Sequence, residues 1–175
     1  MLNRIFNLQD RARTVVLAVT VATVLLAINV EIAGKERIVR NGETVLLRIA
    51  PRDPRSLLQG DYMALRYTMA GVVASEARKI ELNDGIVVIE LGELNEAKFV
   101  SLYNDQPLQE GQQLLRYRKR GDSVRLASDA YFFEEGSWQE YRPARFGEIR
   151  VNSNGDAVLI GLRDAEGERL GPALH

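Results

Sequence analysis

Residues Thr14 to Val30 (TVVLAVTVATVLLAINV) carry no charged side chain, and no other stretch limits what this chain can be so strongly. As a helix the run is about 25 Å long at about 1.5 Å per residue. Glu31 and Ile32 bring it closer to the roughly 30 Å hydrocarbon thickness of a bilayer. Its Val and Thr content does not oppose a helix, because lipid forces the backbone to satisfy its own hydrogen bonds. A buried soluble helix would show a polar face, and here only threonines and the late Asn29 are polar. A cleaved signal peptide needs small residues just ahead of the cut, where cleavage after Ala33 or Gly34 would place Glu31 or Ile32. The run therefore reads as an uncleaved single-pass anchor over residues 14–32, with the lipid bilayer as its partner. Arg4, Arg11 and Arg13 precede it, offset only by Asp10. The positive-inside rule then puts residues 1–13 in the cytoplasm and residues 33–175 outside the inner membrane, in the periplasm or its equivalent.

Composition narrows the rest. The 175 residues are 46% hydrophobic and 27% charged, which excludes wholesale disorder and a multi-pass membrane protein. With Arg4, Arg11, Arg13, Asp10 and Glu31 set aside, 20 Lys+Arg face 22 Asp+Glu, so the outer segment is not the basic surface of a nucleic-acid binder, and no nucleic-acid partner is expected. There is no cysteine, and the single histidine is His175. Disulfides, thiolate nucleophiles and Cys- or His-based metal sites are thereby removed, as is Ser/His catalysis on a rigid scaffold. Neither a metal nor a cofactor is expected, and no catalytic residue is assigned.

The outer segment shows short β-type stretches and no long amphipathic helix. Strands are expected at 44–49, 61–69, 86–91, 98–103, 113–120, 123–127, 130–133, 146–151 and 157–162. The nearly continuous apolar run Ile86–Leu91 suits a central strand. Residues 74–80 suit either a short helix or a loop. The expected fold class is therefore mainly β, a β-rich α+β domain of antiparallel hairpins forming a sandwich or partly open barrel, behind one N-terminal transmembrane helix.

Two turns fix registers. Asn154-Gly155 is a type I′ hairpin signal, and a two-residue loop there would set Val151 opposite Val158 and Ile149 opposite Ile160. Gly121-Asp122 suits a type II′ turn, pairing Lys119 with Val124 and setting Arg118 against Arg125. Facing like charges are unfavourable, so these two either point into water or hold an anion between them. Between Asp53 and Gly60, an N-cap aspartate, Pro54 at the first helical position and a terminal glycine mark a short helix.

The segment Gly60-Asp61-Tyr62-Met63-Ala64-Leu65-Arg66-Tyr67 matches G-D-Y-x-x-L-x-Y at every fixed position. It resembles the GDYXXLXY family of uncharacterised, membrane-anchored bacterial proteins. Upstream, Asp53-Pro54-Arg55 is similar to the family's D-P-R element. Downstream, Tyr131 to Gly136, with Glu135 and Gly136, is similar to its aromatic-x-x-E-G element, and Ala144-Arg145-Phe146-Gly147 follows as the pattern would have it. The resemblance implies one N-terminal membrane helix, an extracytoplasmic domain and an integral membrane protein as partner, since genes of this family often neighbour or are fused to polytopic membrane proteins. It implies no activity.

On a strand, Asp61, Met63, Leu65 and Tyr67 share one side and Tyr62 shares the other with Arg66. Fixed residues on both faces suit a buried strand, with Leu65 and Tyr67 packed and Asp61 accepting turn amides. A functional alternative gathers Arg55, Asp61, Tyr62 and Glu135 into one polar mouth. A non-enzymatic, membrane-tethered binding or accessory module is the leading expectation.

The alternative is an envelope hydrolase. The segment 52–61 faintly resembles the S-M-x-P-T-L-x-x-G-D box of type I signal peptidases, but Arg52 stands where their nucleophile must be, leaving Ser56 and Lys119 as the least implausible pair. Glu134, Glu135 and Glu140 suit turn or cap positions better than paired glycosidase acids. Trp138, with Tyr141 and Phe132, suits a half-buried core edge. Arg116, Arg118, Arg120 and Arg125 form either a solvated hairpin tip or a patch for an anionic headgroup or glycan.

Overall fold

A computed structural model of the chain describes residues 2–50, 62–121 and 123–172. It divides into two compact units, Met1–Arg37 and Ile38–His175. Helix α1 (Leu2–Asn41) contains the uncharged run and continues beyond it. Within it Ala12–Asn41 is long and apolar enough to cross a membrane, and none of its apolar window is buried in the protein.

The second unit is built from antiparallel sheets. The first sheet has the order β1-β8-β9-β10, from Glu43–Arg48 (β1), Phe146–Val151 (β8), Ala157–Arg163 (β9) and Arg169–Leu170 (β10). The second has the order β4-β3-β5-β6, from Asp84–Leu91 (β3), Ala97–Leu102 (β4), Gln112–Arg120 (β5) and Ser123–Arg125 (β6). A third pairs Tyr62–Ala64 (β2) with Ala130–Phe132 (β7). The fold is thus mainly β, and Asp84–Leu91 is the interior strand its apolar run implied, hydrogen-bonded on both sides.

Among the described residues, the α-helices Thr68–Lys79 (α2) and Trp138–Tyr141 (α3) and a 3-10 turn at Glu93–Asn95 accompany the sheets. The expected strand over residues 61–69 is shorter than the sequence implied: pairing stops at Ala64, and the chain turns helical at Thr68. Met69, Val73 and Ala77 recur at four-residue spacing and are buried along one face of α2, a helical period that absorbs the segment left open at residues 74–80. Helix α2 ends on Glu81 at φ 55°, with Leu82 N–H donating to Ala77 O and Glu81 N–H to Arg78 O. That is a Schellman ending with a non-glycine in the left-handed position.

The core is shared between the elements. Val45, Leu47, Ile149, Val151 and Leu162 of the first sheet, Val87, Ile89, Leu115 and Tyr117 of the second, and the buried face of α2 belong to one cluster. At about 25 cal/mol per Å² of apolar surface, this common burial is the main favourable term for the fold.

The two hairpin registers come out differently. Across Gly121 the strands pair Arg118 with Arg125, Lys119 with Val124 and Arg120 with Ser123, as expected. Across Gly155 they pair Val151 with Ala157 and Ile149 with Leu159, one residue away from the expected register, which a bulge between Ile149 and Glu148 restores further along, where Glu148 pairs with Gly161. The cause is Asn152. Its Oδ1 accepts from the Asn154 and Asp156 amides at 3.0 and 2.9 Å, and its backbone carbonyl accepts from Gly155 N–H. The loop is thus three residues, a type I turn followed by Gly155 at φ 82°, the common glycine-bulge alternative to the two-residue turn.

Candidate functional site

Strand β2 and the residues after it carry the described part of the G-D-Y-x-x-L-x-Y motif. Asp53, Pro54, Arg55, Gly60 and Asp61 lie outside the described residues, as does Ser56. Burial alternates from Tyr62 to Tyr67: Met63, Leu65 and Tyr67 are buried, and Arg66 is exposed. Leu65 N–H donates to Asp129 O at 2.7 Å, and Ala50 N–H to Arg66 O. Tyr67 donates its hydroxyl to Ser128 O at 3.0 Å and forms a bridge with Ile49. Burial, helped by the nearby Asp129 carboxylate, holds its phenol well above the usual tyrosine range.

Those partners belong to the segment that leads into the aromatic-x-x-E-G element. Tyr62 stands opposite Phe132, and Met63 opposite Tyr131. The Tyr62 and Phe132 rings are tilted with centroids 5.7 Å apart. Tyr62 is half-buried, whereas Phe132 is 74% exposed. Tyr131 and Phe133 instead pack on Tyr141, at 5.3 and 5.1 Å. Burial raises the Tyr141 hydroxyl to about 12, with smaller contributions from Tyr131, Glu140 and Glu134. Glu135 is exposed and sits beside Gly136, whose φ is 85°. Ser137 N–H closes this turn on Glu134 O at 3.0 Å, a type II turn that places glycine where positive φ is needed. Trp138 is half-buried in α3.

The Ala144–Gly147 element meets the same place from the first sheet. Ile49 N–H donates to Arg145 O, Phe146 lies under the Arg48 guanidinium at 4.7 Å, and Gly147 faces the Tyr67 ring. Three motif segments far apart in sequence therefore converge around Tyr67, while Tyr62 and Phe132 form the aromatic pair on the outer side.

The arginine cluster is partly neutralised. Arg116 Nε donates to Asp156 at 2.9 Å, and Arg125 pairs with Asp129. Arg118 and Arg120 are exposed and have no ion pair among the described residues. Arg118 and Arg125, opposed across the strands, both point into water. The Gly155 loop docks here: its carbonyl accepts from Arg116 N–H at 2.8 Å, and a Cβ on Gly155 would lie 3.0 Å from that amide nitrogen. Lys119 is half-buried on the inner side of β5. Among the described residues, no group of three or more His, Asp or Glu side chains is placed to hold a metal ion.

Sequence reasoning missed one feature. Glu148 on β8 is 2% exposed. Its Oε1 pairs with Arg163 Nη2 at 2.8 Å, and Arg163 Nη1 donates to Gly167 O at 2.7 Å. The hydrogen bond it donates to Glu148 holds the Arg163 guanidinium above its ordinary value. Among the described residues, Glu148 Oε2 has no hydrogen-bond partner. The available signal was a lone acidic residue inside the Phe146–Val151 stretch, whose only other charged residue is Arg150. A second pair, Arg48 with Glu96 at 2.7 and 2.8 Å, is bidentate and ties β1 to the residue before β4. Arg48 holds the Glu96 carboxyl below the usual carboxylate range.

A family model described as GDYXXLXY protein matches residues 24–162. No curated protein and no solved structure matches the chain.

Proposed function

The chain belongs to the GDYXXLXY family, whose model spans residues 24–162, and from that membership we propose that it is a membrane-anchored, non-enzymatic accessory module working outside the cytoplasmic membrane alongside a polytopic membrane protein. One observation carries this reading: an uncharged stretch, Thr14–Val30, lies within a continuous helix, and its apolar side chains are left uncovered by the protein. Such a surface is stable only in lipid. Arg4, Arg11 and Arg13 ahead of the span argue for a cytoplasmic N-terminus, which sends the β-rich domain to the other side.

The chemistry of the chain favours binding over turnover. It offers no thiol and no imidazole before residue 175, so the commonest general bases and nucleophile partners are missing. The outward Tyr62–Phe132 pair, next in sequence to Gly60 and Asp61, is the contact surface in this reading. Large exposed aromatics of this kind are favoured as anchors in protein interfaces.

Affinity purification of the full-length chain from detergent-solubilised membranes tests the proposal. An integral membrane protein should co-purify with the wild type and be reduced with Phe132→Ala. Recovery of the chain alone, or of the same partner in undiminished amount with Phe132→Ala, would contradict it.

A further inference from the structure

The sequence contains two Asn-Gly dipeptides, Asn41-Gly42 and Asn154-Gly155, and the fold brings both to one end of β8. Gly42 lies against Val151, the last residue of that strand: a Cβ on Gly42 would come within 3.0 Å of the Val151 backbone nitrogen and oxygen. Asn154-Gly155 lies in the loop that follows. Both asparagines are exposed and both glycines are buried.

An asparagine followed by glycine is chemically labile, because no Cβ shields the glycine nitrogen. Once solvent base removes its proton, that nitrogen attacks the asparagine Cγ. A C–N bond closes a succinimide ring, and the side-chain nitrogen leaves as ammonia. Water then opens the ring at either carbonyl, giving aspartate or isoaspartate. One water is consumed, one ammonia is released and one negative charge is gained, with no oxidant or reductant involved.

The attack requires a free glycine N–H, and here both are held. Gly42 N–H donates to Ile38 O at 2.8 Å, and Gly155 N–H to Asn152 O at 3.0 Å. The two differ in what must open to release them. Gly42 closes the last turn of α1, and Arg150 Nη1 donates to its carbonyl at 2.9 Å. Freeing it lifts that turn from the first sheet and uncovers buried Ile38. Gly155 sits in a short loop held by the Asn152 side chain, which accepts from the Asn154 and Asp156 amides, and by its carbonyl on Arg116 N–H. Opening that loop breaks a few hydrogen bonds and uncovers no large core side chain, so it lies at the low end of local unfolding free energies.

We infer that Asn154 is a fold-gated modification site: the folded chain converts it slowly to aspartate or isoaspartate through local opening of its loop, while Asn41 stays protected until the domain unfolds. Isoaspartate inserts one extra atom into the backbone just ahead of Gly155. That carries the Gly155 carbonyl away from Arg116 N–H, so the modified loop no longer docks on β5.

The two dipeptides serve as references for each other in one molecule. Purified full-length chain in detergent is incubated at mildly alkaline pH with and without denaturant, and conversion is followed by mass spectrometry of the tryptic fragments 41–48 and 151–163. In denaturant the two asparagines should react at similar rates. In the folded chain Asn154 should slow about tenfold and Asn41 about a hundredfold or more. Asn152→Ala should speed Asn154 about fivefold in the folded chain and leave Asn41 slow. Asn152→Asp, which keeps the accepting oxygens, should stay near the wild-type rate. An Asn154 rate equal to that of the unfolded chain, an Asn154 as slow as Asn41, or an Asn154 rate unmoved by Asn152→Ala would each overturn the inference. So would acceleration of both asparagines together in Asn152→Ala, since that is release by global and not local opening.

Discussion

Tyr67 and Gly147 are in direct contact: a Cβ on Gly147 would come within 2.9 Å of Tyr67 Cε1 and 3.2 Å of its hydroxyl oxygen. The last fixed residue of the G-D-Y-x-x-L-x-Y motif is seated on a glycine eighty positions later, between two backbones it also bonds. Gly147→Ala should therefore push the ring from its place and destabilise the domain by about 1–3 kcal/mol. Tyr67→Phe keeps the ring and loses only the hydroxyl bond to Ser128, costing about 1 kcal/mol. Denaturant melts of both variants and of the double variant check this. The two costs should fall short of adding, because the added methyl also crowds the hydroxyl that Phe lacks.

Buried Glu148 and half-buried Arg163 form an ion pair within the first sheet. Removing one partner leaves an uncompensated charge. Arg163→Met, which strands the buried Glu148 carboxylate, should cost about 3 kcal/mol, and Glu148→Ala should cost less, because Arg163 reaches water and keeps its bond to Gly167 O. Combining Glu148→Leu with Arg163→Met should recover most of the loss, since burial of two apolar groups replaces two desolvated charges. Thermal melting of the three variants measures it.

Three of the six tyrosines should resist ionisation in the folded chain. Tyr67, Tyr117 and Tyr141 are all raised, chiefly by burial. A raised folded value means the neutral phenol is favoured by folding. That stability is fully present below the unfolded tyrosine value near about 10 and is lost as pH rises from there through the folded values, about 12 for Tyr141. A spectroscopic titration should show these three ionising together with unfolding. All six titrating freely near the ordinary value with the fold intact would contradict it.

At the acid end the sign reverses. Glu96 is lowered by Arg48, so its contribution is present above the ordinary glutamate value near about 4.3 and is lost as pH falls through the lower folded value. Arg48 is half-exposed, which keeps the effect below about 1 kcal/mol. Glu96→Gln should shrink the difference in melting temperature between neutral and acid pH without altering the fold.

Much of this architecture was readable because each β-stretch carried its own period. Ile86–Leu91 and Phe146–Val151 became strands within a residue or two of the expected bounds, and the Gly121 register followed from turn chemistry alone. What was hidden depended on contacts. The Asn154-Gly155 signal was real, but the Asn152 side chain chose a three-residue loop, and Gly155 also had to let a second sheet's backbone approach. Helix α2 was obscured by Thr68, Val72 and Val73, which are strand formers by propensity and were overruled by the four-residue spacing of buried positions. Glu148 could be seen as unusual, but its partner lies fifteen residues on, across the hairpin, and the choice of that partner is no local pattern. The convergence of the motif segments on Tyr67 is likewise a property of sheet pairing and not of any local pattern.

The decisive measurement is the topology of the full-length chain. Alkaline phosphatase fused after residue 175 should be active in intact cells, and a fluorescent protein at the same place should stay dark, both with the chain in the membrane pellet. A bright fluorescent fusion with an inactive phosphatase, or full-length chain in the soluble cytosolic fraction, would contradict an anchored domain outside the membrane.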